Sequence, residues 1–175
     1  MLTCALCDGN HDEGMVHPRN KKVVGERLAA AALSVAYNMA TPYLPPTYNR
    51  STAITATSSP FGAAPPLPLL TVAVSFANVP TALVTAADHC KTELKVPNQF
   101  CAWFSITGSD TIVRNATATI GTDGRSLVLT AMVPAKEGVV AASTGFGWNA
   151  WPINTIMTAE GLPLQPWKDE PVHLE

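Results

Sequence analysis

The stretch Leu69-Leu70-Thr71-Val72-Ala73-Val74-Ser75-Phe76 decides the fold of most of this chain. Its bulky apolar side chains alternate with small or polar ones, which is the period of a strand with one buried face. The same period returns downstream, in runs near 100–106, 112–120, 127–133 and 139–146. Asp123-Gly124, between two of these runs, is typical of a β-hairpin turn in which both central residues have positive φ. Residues 69–175 are therefore expected to form an antiparallel β-domain with a sandwich-like architecture.

Upstream of residue 41 the hydrophobic period is that of a helix. Asn20 is a suitable N-cap, and the apolar positions that follow are spaced three and four apart, so we expect a helix over 20–38 that ends near Asn38. Its apolar face consists of Val23, Val24, Leu28, Ala31, Ala32, Val35 and Ala36, together with Arg27. The segment 41–68 is rich in Pro, Ser, Thr and Ala, which predicts a linker between two structural units.

An acid and a histidine lie close together near the amino terminus. Residues 2–7 have the length and apolarity of a buried strand that ends at Asp8, and His17-Pro18 comes just before the predicted helix. A serine esterase needs an imidazole to accept the proton of its nucleophile and a carboxylate to orient that imidazole. His17 is thus a candidate general base, with Asp8 or Asp12 as its partner. A purely structural turn before the helix explains the same residues.

The residues around His17 resemble a known family. The segment 17–21 (HPRNK), followed by 24–28 (VGERL) and 36–37 (AY), is similar to the "IHPRNK…VGxRLAxxAxxxAYG" signature of the sialate O-acetylesterase family. Near the other end, 147–152 (GWNAWP) and 161–167 (GLPLQPW) resemble that family's terminal "W-x-D-x-P…GLPxxPF" pattern. The matches occur in family order and anchor about 1–38 and 138–168.

The resemblance implies the C-terminal part of an SGNH-type hydrolase. Residues 1–40 would be an α/β fragment, the last strand and helix of the hydrolase domain, with a linker over 41–68 and an antiparallel β-sandwich-like domain over 69–175. The implied activity is removal of O-acetyl groups from sialic acids or other acetylated carbohydrates, without a cofactor or metal. His17 would be the general base and Asp8 its orienting acid. Because Gly14 and Ala5 stand where the family often has Asp, Asp12 is an alternative to Asp8.

The family's nucleophile block and its oxyanion-hole blocks do not occur in this sequence. Ser109 and Ser126 lie at predicted hairpin turns, and turn chemistry explains them. A base without a nucleophile and oxyanion donors catalyses little, so the 175-residue chain alone is predicted to be inactive. The alternatives are a non-catalytic short isoform or degenerate copy whose β-domain binds glycan or protein, and an incomplete gene model.

Composition limits the classes of partner. Hydrophobic residues make up 47% of the chain and charged residues 14%, which is typical of a folded core, and a net charge of -2 gives no basis for nucleic-acid binding. No apolar run approaches the ~20 residues that cross a bilayer, so neither nucleic acid nor membrane is an expected partner. The chain begins without the features of a signal peptide, whereas the resemblance implies a secreted or lysosomal parent. Its own compartment is open.

Several other side chains have two interpretations. Asn49-Arg50-Ser51 and Asn115-Ala116-Thr117 are potential N-glycosylation sites, and strand alternation places Asn115 on an exposed face. The aromatic residues at 148, 151 and 167 either stack on a sugar or belong to the core. The basic residues Arg19, Lys21, Lys22 and Arg27 either attract a sialate carboxylate or form a solvated helix face. The cysteines are Cys4 and Cys7, which ordinary burial explains, and Cys90 and Cys101, which are either disulfide-bonded or free.

Overall fold

The computed structural model of this protein describes residues 21–54, 69–85, 103–133, 138–148 and 155–174. These residues contain one helix and nine strands. The helix α1 is Lys21–Tyr37. The strands are β1 (Thr47–Ala53), β2 (Leu69–Ala77), β3 (Leu83–Thr85), β4 (Phe104–Gly108), β5 (Val113–Ile120), β6 (Ser126–Met132), β7 (Ala141–Phe146), β8 (Ile156–Thr158) and β9 (Trp167–His173).

Helix α1 confirms the helix predicted for 20–38. It ends at Tyr37 because Asn38 adopts a left-handed conformation with a φ of 53°. The N–H of Met39 then donates to the carbonyl of Leu33 at 3.0 Å, which satisfies one of the free carbonyls of the last turn. No helix occurs after residue 69 in the described ranges, as the change of period also predicts.

The apolar face predicted for α1 is only partly turned toward the rest of the molecule. Val23, Val24 and Ala31 are half-buried, whereas Leu28 and Val35 are 64% and 70% exposed. No residue of α1 is fully buried. None of the described helical residues forms a segment long and apolar enough to span a membrane.

Seven of the strands form a closed barrel in the order β1-β2-β6-β5-β4-β7-β9. Neighbouring strands are antiparallel except at the closure, where β1 runs parallel to β9 through the pairs Ser51↔Val172 and Thr52↔His173. Strands β3 and β8 form a separate two-stranded antiparallel sheet.

The alternating residues of the sequence fill the barrel. Leu70, Val72 and Val74 of β2 are buried, as are Leu127 and Leu129 of β6. Phe104, Ile106, Ala116, Ala131, Val133 and Phe146 belong to the same core. Burial of each large aliphatic side chain stabilises the fold by about 1.5–3 kcal/mol. These residues confirm the alternation predicted for the strands around them.

The β5–β6 hairpin is confirmed, but its turn differs from the predicted one. Gly124 has a φ of 66°, whereas Asp123 is absent from the positive-φ residues of the described chain. The carboxylate of Asp123 instead accepts hydrogen bonds from the N–H of Arg125 at 2.9 Å and of Ser126 at 3.0 Å. An Asx-type turn therefore replaces the expected turn with two left-handed residues.

The expected fold class, an α/β fragment followed by an antiparallel β-sandwich-like domain, is wrong. The described residues are mostly β, with one helix and a closed barrel. Strand β1 lies within 41–68, where prolines predicted a linker, and it supplies one side of the parallel closure. Its sequence, TYNRSTA, has no apolar alternation by which it could be recognised. The strand expected at 2–7 lies outside the described residues, and the domain bounds 1–40, 41–68 and 69–175 stay predictions.

Candidate functional site

The predicted catalytic residues His17, Asp8 and Asp12 lie outside the described residues. Their mutual geometry therefore stays a prediction. In the described ranges the histidine is His173, at the exposed end of β9. The same ranges contain no group of three or more His, Cys, Asp or Glu residues that could hold a metal ion.

Ser109 and Ser126 have structural roles in turns, as predicted. The Ser109 hydroxyl accepts a hydrogen bond from the N–H of Val140 at 3.2 Å, and so joins the β4–β5 turn to the residues before β7. The Ser126 hydroxyl donates to the carboxylate of Asp123 at 2.8 Å, at the start of β6. Neither serine contacts a histidine in the described chain, so neither has the base that a nucleophile requires.

A groove of about 460 Å³ lies at the end of the barrel where β2 ends and β6 begins. We call it the barrel-end groove. Its walls are Ser34 near the end of α1, the segment 40–44, the segment 78–80 after β2, and Arg125 of the β5–β6 turn. This volume lies in the range of small-molecule sites, which is about 300–1,000 Å³.

The wall formed by 78–80 is held in place from both sides. The side chain of Val79 is 4% exposed and belongs to the barrel core. Asn78 takes a left-handed conformation, φ 61°, and its Nδ2 donates to Oγ1 of Thr47 at 3.3 Å. The segment therefore connects the end of β2 to the start of β1, the strand that it pairs with.

Arg125 is positioned by the turn that carries it. Its N–H and that of Ser126 bind the Asp123 carboxylate, and these hydrogen bonds hold the pKa of Asp123 below its ordinary value, with the Arg125 N–H as the largest cause. The guanidinium Nη2 donates to the carbonyl of Val79. The N–H of Leu83 donates to the carbonyl of Gly124 at 2.8 Å, so the turn is also fixed to the start of β3.

The chemistry of the groove is mixed. Arg125 is the one charged side chain among its lining residues, and none of them carries a carboxylate. Tyr43 supplies a half-buried aromatic ring, with prolines at 42 and 80 and Leu44 as further apolar surface. Hydroxyls of Ser34 and Thr41 and the amide of Asn78 add hydrogen-bonding groups. Such a surface suits a ligand that is oxygen-rich and negatively charged.

Two other polar clusters are structural. Arg114 donates to both oxygens of Asp110, at 2.9 and 2.6 Å, and both side chains are 9% exposed. In the second cluster, Ser51 of β1 and Thr144 of β7 share a hydrogen bond of 2.9 Å, and Nε1 of Trp167 in β9 donates to the same Thr144 hydroxyl at 3.1 Å. The first cluster fixes the β4–β5 turn, and the second joins β1, β7 and β9 at the closure of the barrel.

The tryptophans separate into two kinds. Trp167 is 4% exposed and packs with Tyr48, Phe76, Phe104 and Phe146, so the core interpretation holds for it. Trp148 is 65% exposed, with Lys168 Nζ 5.7 Å from its ring centre. Trp151 lies outside the described residues.

The basic residues of α1 do not converge on one site. Lys21 and Lys22 are exposed, and Lys22 lies 3.6 Å from Glu26, which fits a solvated face. Arg27 donates to the carbonyl of Gly161 at 3.5 Å. Arg19 is outside the described residues. Arg125, which lines the groove, was not a candidate in the sequence because nothing in the Asp-Gly-Arg run distinguishes it from an ordinary turn.

Comparison with known proteins shows a likeness of fold to a solved structure. No family model matches this chain, and no curated protein matches it. A solved structure of a carbohydrate acetylesterase from Xanthomonas citri is similar to it, with a TM-score of 0.61 and 23% sequence identity over 91% of this chain. This chain spans 30% of that protein. It is therefore similar in fold to part of a carbohydrate acetylesterase.

Proposed function

We propose that this chain is part of a carbohydrate acetylesterase of the sialate O-acetylesterase type, which removes O-acetyl groups from sialic acids or other acetylated sugars. The observation that carries the proposal is the likeness to the Xanthomonas citri carbohydrate acetylesterase over 91% of this chain. The segment 17–21 (HPRNK) and the segment 161–167 (GLPLQPW) support it from the sequence.

In this proposal His17 is the general base. It accepts the proton of a serine hydroxyl as the oxygen attacks the acetyl carbonyl, and it returns the proton to the sugar oxygen that leaves. Asp8, or Asp12 in its place, orients the ring and stabilises its protonated form. The sequence contains no nucleophile block of the family, so the serine and the oxyanion donors belong to another part of the enzyme.

The test is a fusion protein. The C-terminal part of a sialate O-acetylesterase, beginning at that enzyme's histidine segment, is replaced by this chain. We expect the fusion to release acetate from O-acetylated sialic acid, and His17→Ala to reduce the rate by about 10²–10⁴-fold. His173→Ala is the matched control and should retain the rate. The 175-residue chain alone should give only background release. Activity that survives His17→Ala would remove His17 from the mechanism.

A second candidate function is carbohydrate binding without catalysis. The observation that favours it is the barrel-end groove, which is lined, among the described residues, by Ser34, 40–44, 78–80 and Arg125. An inactive fusion whose barrel still binds a sugar would identify this function.

We also propose that the parent protein is secreted or lysosomal and glycosylated. Asn49 and Asn115 are both exposed, as an acceptor must be. Ser51, the third residue of the first site, is fully buried and bonded to Thr144, so Asn115 is the better acceptor once the chain is folded. The test is to express the protein in a secretory pathway and to measure its mass before and after endoglycosidase treatment. We expect the treatment to reduce the mass of the wild type, and Asn115→Gln to abolish that reduction.

A further inference from the structure

We propose that the barrel-end groove binds a sugar unit that carries a carboxylate, such as a hexuronic acid, and that Arg125 pairs with that carboxylate. The inference goes beyond the proposed activity, since it concerns residues of the barrel and holds for a chain with no catalytic role.

The positive charge of the groove favours a ligand that carries a negative charge. Arg125 is the one charged side chain in the lining. Within the described chain, one of its guanidinium nitrogens donates to the Val79 carbonyl and the others have no hydrogen-bond partner. The nearest acid in sequence, Asp123, is already bonded to two backbone N–H groups and to the Ser126 hydroxyl. A planar guanidinium with free N–H groups favours a carboxylate, which it can bind through two oxygens.

The other lining residues favour a sugar as the ligand. Tyr43 supplies an aromatic ring to the lining, and such a ring can pack on the C–H side of a sugar. Pro80 adds apolar surface. Hydroxyls at 34 and 41 and the amide of Asn78 suit the hydroxyl groups of a sugar. A proline-rich peptide is a poorer fit because such peptides bind grooves lined by several aromatic rings, and Tyr43 is the one aromatic residue here.

Two of the four walls of the groove are preorganised, which favours binding of a small polar ligand. The Val79 side chain is fixed in the core, and the Asp123 carboxylate fixes the turn that presents Arg125. The walls formed by 78–80 and by Arg125 are thus fixed to the barrel, so these two walls need little ordering when the ligand binds.

The experiment is an NMR titration of the 175-residue chain with D-glucuronate and D-glucose, which differ only in C6, a carboxylate carbon in the first and a hydroxymethyl carbon in the second. We expect glucuronate to shift the amide signals of Thr41, Val79 and Arg125, and glucose to bind at least about 10-fold more weakly. Arg125→Gln removes the positive charge while keeping an N–H donor on the side chain, and it should weaken glucuronate binding by about 10-fold or more. Arg50→Gln, on the exposed surface of β1 and outside the groove lining, is the matched control and should bind as the wild type.

Tyr43→Ala provides a second variant should Arg125→Gln disturb the turn. We expect it to weaken the binding of glucuronate and leave that of acetate unchanged. The inference is overturned if glucose binds as well as glucuronate, if acetate binds as well as glucuronate, or if neither variant changes the titration. A proline-rich peptide that shifts the same signals while glucuronate does not would also overturn it. The fusion experiment with His17→Ala reports separately on the esterase.

Discussion

At the scale of single residues, the pair of Asp110 and Arg114 shows how a short turn supports a buried charge. Arg114 points into the barrel side of β5, and the turn brings Asp110 back over it so that two hydrogen bonds join the charges. Arg114 Nη1 also donates to the carbonyl of Ile112 at 2.9 Å. The turn at 108–110 was predicted from its Gly-Ser-Asp sequence. The pair was not, because sequence alternation marks position 114 as buried but does not indicate which acid would reach it.

We predict that this pair makes the stability of the protein depend on pH in the acid range. The hydrogen bonds from Arg114 lower the pKa of Asp110 from 3.8 to about 2. A depressed carboxyl pKa in the folded state contributes stability that is fully present above 3.8 and is lost as the pH falls toward 2.

Asp110→Asn should therefore lower the urea midpoint at pH 6 and flatten its decline between about pH 4 and 2. Asp123 and Glu160, whose pKa values are also lowered, should contribute to the decline that is left. Asp169→Asn changes a side chain that is 71% exposed and is the control. An unchanged acid limb in Asp110→Asn would contradict the prediction.

At the scale of elements, the boundaries of α1 and of the β5–β6 hairpin could be predicted because local residues set them. Asn38 ends the helix and Gly124 turns the hairpin, each through a left-handed conformation. The contact face of α1 could not be predicted in the same way. Alanines and valines occupy several sides of the helix, so periodicity does not choose between the half-buried side and the side with Leu28 and Val35.

We predict that two Gly→Ala substitutions change stability in opposite directions. Gly25 lies within α1 and a Cβ there would meet nothing within 4 Å, so Gly25→Ala should stabilise the helix by about 0.5–1 kcal/mol. Gly124 has a φ of 66°, so Gly124→Ala should destabilise the protein by about 1–2 kcal/mol although a Cβ would fit sterically. The two variants make the same chemical change in different backbone conformations, so each serves as the control for the other. Urea unfolding followed by circular dichroism measures both, and changes of the same sign would be inconsistent with these backbone conformations.

At the scale of the whole molecule, the barrel strands that the sequence revealed are those that fill the core, and the barrel strands that it did not reveal, β1 and β9, close the barrel. Strand β2 buries three apolar side chains, whereas β1 buries only Ser51. Strand β9 carries Pro171 and three charged residues, features that argue against a strand in the interior of a sheet. Their pairing joins residues near 51 and 172, and no local pattern predicts so distant a contact.

The two candidate sites differ in whether the sequence could predict them, because one is local in the sequence and the other is not. The His17 segment is contiguous, so it could be proposed from sequence. The barrel-end groove is assembled from four segments between residues 34 and 125, which only the barrel brings together. Its Arg125 has no sequence signal beyond its place after Asp123-Gly124.

The barrel should open first at its closure. Strands β1 and β9 pair through two residue pairs, whereas β2 and β6 pair through seven. We therefore predict that amide hydrogens of β1 and β9 exchange at least about 10-fold faster than those of β2 and β6, because local opening requires less free energy where fewer contacts are lost. Exchange followed by NMR under native conditions measures this.

Thr144→Val tests whether the hydrogen bonds beside the closure stabilise it. The substitution keeps the shape of a side chain that is 1% exposed, but it leaves the Ser51 hydroxyl and Trp167 Nε1 without their partner in the described chain. Each buried polar group left unsatisfied costs about 1–3 kcal/mol, so exchange in β1 and β9 should accelerate more than in β2 and β6. Thr85→Val, on an exposed side chain of β3 outside the barrel, should change exchange in neither pair of strands. If β1 and β9 are as protected as β2 and β6, or if Thr144→Val accelerates all four strands equally, the barrel opens as a single unit and its parallel closure is no weaker than its antiparallel pairs.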